Sequence, residues 1–148
     1  MTEPSQGNVE AVCDLLIGQE SAMAKLYELY RDVVPGMGEF WQQLAIEEHA
    51  HAQVMTALRQ KFREGKLWLN SSAFSVTQIR DSISSAVTKI NLAKQGPVAP
   101  IDALTGALDI ELGVVENLFY KVFEPLEKDM IPEFQELRRH TQEHARRI

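Results

Sequence analysis

Residues 44–55, Leu-Ala-Ile-Glu-Glu-His-Ala-His-Ala-Gln-Val-Met, most constrain what this 148-residue chain can fold into. Glu48 and His51 stand three positions apart, which on an α-helix puts them on one face, a turn from each other. Counting in alternating threes and fours through the pair gives Met37, Trp41, Leu44, Glu48, His51, Met55, Leu58 and Phe62. Every other member of that stripe is apolar, so it reads as the core-facing seam of an amphipathic helix. A carboxylate and an imidazole therefore occupy places where a helical bundle would normally bury leucine.

The same interruption recurs along the chain. With Asn8 as N-cap, a first helix is expected from about Val9 to Val34, with seam Cys13, Leu16, Glu20, Met23, Tyr27 and Tyr30. Pro35-Gly36 breaks it, and the helix carrying Glu48 follows to about Glu64, stopped by Gly65. So short a link predicts an antiparallel hairpin. Residues 66–74 read as an extended connection, and Ser75 caps a third helix to about Gln95 with the wholly apolar seam Val76, Ile79, Ile83, Val87 and Ile90. After the break at 96–100, a fourth helix is expected over Ile101 to Glu124, ended by Pro125, with seam Leu104, Leu108, Glu111, Val115, Leu118 and Val122. Ile131-Pro132 opens the last helix, whose seam is Met130, Phe134, Leu137, Thr141, His144 and Ile148. The two halves echo each other as a degenerate duplication of a helix hairpin, joined by a crossover that contains the third helix.

Composition narrows the function classes. A chain of this length, 45% hydrophobic, is one domain (1–148) able to bury a real core. A net charge of −6 without a long basic cluster argues against nucleic acid. One cysteine, Cys13, excludes an intrachain disulfide and a Cys-x-x-Cys metal ribbon, and reads as a small buried hydrophobe. No apolar run reaches membrane-spanning length and the first residues do not form a secretory signal, so a cytoplasmic location is expected.

Glu20, Glu48, His51, Glu111 and His144 are thus ionisable residues in otherwise apolar seams, and no Lys or Arg shares those seams. Burying an unpaired carboxylate costs several kcal/mol, and converging carboxylates repel one another. A pair of divalent cations answers both problems. Oxygen and nitrogen ligands without thiolate suit iron or manganese, with zinc possible. His49 and Glu47 fall off the seam and are expected to be solvated, while Tyr27, Tyr30 and Tyr120 read as core aromatics rather than radical or hydrogen-bonding participants.

One Glu on each of two helices, with Glu-x-x-His on two more, is the di-metal carboxylate arrangement of ferritin-like bundles. The chain resembles the rubrerythrin branch of that superfamily. The resemblance is carried by Gln19-Glu20 through Tyr27, by Glu47-Glu48-His49-Ala50-His51, and by Ala107-Leu108-Asp109-Ile110-Glu111 through Phe119-Tyr120. It implies an all-α, ferritin-like four-helix bundle with an added crossover helix. It also implies two iron ions, one held by Glu20, Glu48 and His51 and the other by Glu48, Glu111 and His144. The implied activity is oxidation of ferrous iron with peroxide or oxygen, in peroxide scavenging or iron handling.

Two departures from that pattern matter. Thr141 stands where a second bridging Glu is expected, which allows a single metal; His140, one turn before His144, is a possible substitute ligand. No rubredoxin-like Cys-x-x-Cys module is present, so a redox cycle would need an external electron donor. Alternatives are a metal-binding bundle that does not turn over, favoured by Thr141, and a helical interaction protein retaining a relic of the site. The apolar third helix is also compatible with a homodimer.

Overall fold

No proline falls between Gln6 and Val33, and apolar residues recur there at helical spacing, so this stretch forms one long helix, α1 (Gln6–Val33). The computed structural model describes residues 6–64, 67–69, 76–115, 123–125, 139, 143 and 146–148. Helix α2 (Gly38–Arg63) follows a tight turn at Pro35-Gly36, in which Gly36 takes φ +76°, a conformation open to glycine. The Met37 carbonyl accepts the first α2 bond, from Trp41 N at 3.2 Å. Polar pairs fix the two helices as antiparallel: Arg31 bonds Gln42, Glu28 meets His49, and Arg59 bonds Asp14, each further along α1 in reverse order.

Strand β1 (Leu67–Leu69) lies in the expected extended connection and pairs antiparallel with β2 (Phe123–Pro125), Trp68 opposite Glu124. This corrects the expectation that the fourth helix runs to Glu124. Helix α4 is described from Pro100 to Val115, and Phe123 and Glu124 satisfy their backbone groups by strand pairing instead. Between them in sequence, α3 (Val76–Lys94) packs on α1, with Ile83 against Gly18. Asn8 lies inside α1 rather than capping it. The expected Ser75 cap, and the last helix apart from Arg139, Glu143 and residues 146–148, fall outside the described residues. No described helix is long and apolar enough to cross a membrane.

Among the described residues, four long helices make the chain all-α in class, the two strands there being three residues each. Met23, Leu26, Tyr27 and Tyr30 of α1, Trp41 and Leu44 of α2, Ala86 and Ile90 of α3, and Ala103, Ala107 and Ile110 of α4 share one buried core, and Ile148 packs against it. Cys13, Leu16, Met55, Leu58 and Ile79 are also buried. The seams of α1 and α2 therefore have apolar layers on both sides of their polar positions.

Two seams differ in phase from the sequence reading. On α3 the buried face runs through Ile79, Ala86, Ile90 and Ala93, and Val87 is 44% exposed. On α4 it runs through Ala103, Ala107, Ile110 and Glu111, leaving Leu104 and Leu108 half-buried. In both, small residues face the neighbouring helices. A Cβ at Gly106 would stand 3.0 Å from Lys89 Cε and 3.3 Å from the Tyr30 hydroxyl, so the glycine leaves room on α4 for these two side-chain ends.

Candidate metal centre

The polar positions of the α1 and α2 seams come together where these helices face each other. Glu20 lies two turns along α1 from Cys13 and two turns before Tyr27, between apolar layers that exclude water. Glu48 and His51 project from α2 at the same level. Glu20, Glu48 and His51 are buried to 1%, 0% and 3% exposure, and each offers a ligand atom within 4.8 Å of the others. His51 Nδ1 stands 3.7 Å from Glu20 Oε2 and 3.5 Å from Glu48 Oε2, beyond a good hydrogen bond. Ligands bound to one transition metal at about 2.0–2.2 Å are themselves roughly 3.0–3.6 Å apart, so modest closure would fit the three atoms around an ion.

Electrostatics marks the same place. Burial, and then the Glu48 charge, holds the Glu20 carboxyl well above the ordinary carboxylate range. Burial opposes charge on His51, yet Glu20 and Glu48 outweigh it and push its pKa up to about 10. Without a cation, the cluster thus keeps its charge down with protons. A divalent metal can replace them, its two charges matched by two carboxylates with the imidazole neutral. No thiolate takes part, and donors of this kind suit manganese, iron or zinc.

Glu111 is fully buried on α4 but is not one of the three clustered ligands. The Tyr27 hydroxyl donates to its Oε1 at 2.8 Å, corrects the reading of Tyr27 as a core aromatic only, and keeps that oxygen oriented. Burial, followed by the charges of Glu111, Glu48 and Glu20, raises the Tyr27 pKa well above its ordinary value, so it remains a phenol and a donor. His144, Thr141 and His140 lie outside the described residues. Arg147, three residues beyond His144 in sequence, bonds Glu47, the neighbour of Glu48. Glu47 is accordingly half-buried and paired rather than solvated, whereas His49 is exposed as expected and lies 2.6 Å from Glu28.

Sequence reasoning did not single out Gln19 as a buried polar group. Its side chain is fully buried and neither amide atom has a hydrogen-bond partner among the described residues. Its position beside Glu20 gave no sign of this, because Gln19 falls on a second buried flank of α1 with Val12, Leu16 and Leu26. Tyr27 could have been found, since it lies seven residues from Glu20 on the same seam. Comparison of the chain with family models, curated proteins and solved structures finds no match. The rubrerythrin-like resemblance accordingly rests on the residues themselves.

Proposed function

We propose that the chain is a non-haem metal carboxylate protein of the ferritin-like kind, which oxidises ferrous iron with peroxide or oxygen. The observation that supports it is the convergence of Glu20, Glu48 and His51, buried from two antiparallel helices, with ligand atoms within 4.8 Å. Glu111 is the candidate carboxylate of a second position, and the resemblance adds His144 there. Iron bound at the centre would supply the electrons for reducing peroxide or oxygen. The chain's own residues set the conditions. Glu20 and Glu48 neutralise a divalent charge, His51 gives a nitrogen donor, and Tyr27 orients Glu111. The surrounding apolar layers keep bulk water out.

The test is anaerobic loading with ferrous iron followed by peroxide. Oxidation by the protein faster than by free iron, and lost in Glu48→Ala, supports the proposal; no acceleration over free iron refutes it. A second reading, a metal-binding bundle that does not turn over, is favoured by the three-ligand cluster and by Thr141 in place of a carboxylate. It predicts tight binding with no acceleration.

A further inference from the structure

Independently of the metal centre, we infer that the outer face of α2 is a surface on which two copies of this chain pair, antiparallel, as a homodimer. The exposed residues of α2 include Gln43, Ile46, Ala50, Gln53, Ala57 and Gln60. Their spacing alternates three and four through the whole series, the pattern of a helix-packing seam, on a helix whose other seam is already buried in the core. Ile46 is 50% exposed on it.

Charge sets this face apart. The chain carries a net charge of −6, and the exposed sides of its other helices are charged: Asp14, Lys25 and Asp32 on α1, Arg80, Asp81 and Lys94 on α3, Asp102 and Asp109 on α4. No exposed residue of α2 from Gln43 to Gln60 is an Asp, Glu, Lys or Arg. Glu47 and Arg59 within that length are half-buried and paired with Arg147 and Asp14. On the flank toward α1, His49 lies 2.6 Å from Glu28, and the Thr56 hydroxyl donates to the Ala52 carbonyl at 2.9 Å. A second helix can therefore lie along the seam without burying an unpaired charge, which would cost several kcal/mol.

The occupant is a second copy because the face complements itself. Ala50 and Ala57 present only methyl groups one heptad apart, so a partner helix comes close there and its Ile46 has room to pack. A glutamine amide both donates and accepts, so glutamines meeting across a two-fold axis satisfy each other. The two ends of the face differ in sign. Glu39 lies in the first turn of α2, and Lys61 and Arg63 lie in the last, where they outnumber Glu64. An antiparallel pair sets each Glu39 at the partner's basic end and opposes the two helix dipoles, whereas a parallel pair brings like ends together. From Glu39 to Gln60 the face is about 33 Å long. Two such faces at helix-packing distance bury roughly 1,000 Å² in all, the lower bound for a specific interface, so the dimer forms reversibly with concentration.

The experiment is sedimentation equilibrium of the full chain, metal-free in chelator, from about 1 to 200 μM. The expected mass rises with concentration from 16.7 kDa toward twice that value. Ala50→Glu and Ala50→Lys each set like charges against each other near the two-fold axis and should weaken association by at least about tenfold. An equimolar mixture of the two should restore it. Both substitutions are on an exposed position, and circular dichroism shows that each variant keeps its helices. Gln43→Cys mixed with Gln60→Cys should oxidise to a cross-linked pair, while Gln60→Cys alone should not, Cys13 being buried. A wild type that stays monomeric throughout overturns the inference. So does a dimer that both Ala50 variants leave intact, or a Gln60→Cys chain that cross-links to itself as readily as the mixture.

Discussion

Replacing Glu20 by Gln separates a metal site from a structural ion pair by the sign of what it does to the metal-free chain. Burial and the Glu48 charge favour a protonated Glu20, and a neutral amide of the same shape mimics that form. His51 retains Glu48 as its ionic partner, 3.5 Å away. The metal-free variant should therefore stay within about 1 kcal/mol of wild type, with little change in melting temperature. The metal-bound state loses one of two neutralising carboxylates. At free metal about 100-fold above Kd, wild type gains ~2.7 kcal/mol. For a chain of this size that is roughly 9 °C. In Glu20→Gln most of that shift should vanish at the same manganese or anaerobic ferrous concentration, read by calorimetric melting with and without chelator. A variant destabilised without metal by about 3–5 kcal/mol, as when a buried ion pair is broken, and keeping the metal shift would refute the reasoning.

Other predictions follow from the same geometry. His51, raised to about 10, and Glu20, also raised, bind protons more tightly folded than unfolded. Stability from the protonated His51 is complete below about pH 6.5 and lost as pH climbs toward 10, so metal-free melting temperature should fall across that window. A metal-free melting temperature that rises from neutral pH to 10 would contradict this sign. Metal must displace these protons, so affinity should increase with pH and calorimetry in buffers of different ionisation enthalpy should show proton release approaching about two per ion. Tyr27→Phe removes a hydrogen bond to a buried carboxylate and should cost ~1.5–3 kcal/mol in urea denaturation; an unchanged midpoint would mean that Glu111 does not depend on it. Gln19→Met replaces a buried amide with no partner among the described residues by an apolar chain of similar length and should stabilise by about 1 kcal/mol, whereas a lower melting temperature would show that the amide is satisfied in solution.

The seams of α1 and α2 were legible in sequence because large apolar residues recur at helical spacing on both sides of Glu20 and of the Glu48–His51 pair. The burial of all three follows from that periodicity. Elsewhere the signal was weaker for physical reasons. Helices that approach closely select small residues, so Ala86, Ala93, Ala103 and Ala107 mark the buried faces of α3 and α4, while counting large side chains pointed to Val87, Leu104 and Leu108. Glu111 was found as a buried carboxylate, but its hydrogen bond to Tyr27 joins residues 84 apart and leaves no local periodic trace. The β1–β2 pairing is similarly long in range, and its Phe123-Glu124 partner follows a helical pattern closely enough to be read as its continuation.

Titration of the metal-free chain with ferrous iron under anaerobic conditions, read by elemental analysis after removal of unbound ion, tests the central claim most directly. The account predicts at least one iron per chain, retained through desalting, a second where the position of Glu111 is also filled, and none in a Glu48→Ala chain that keeps its helical circular dichroism. A wild type that retains no iron, manganese or zinc, or a Glu48→Ala chain that binds as much as wild type, would contradict it.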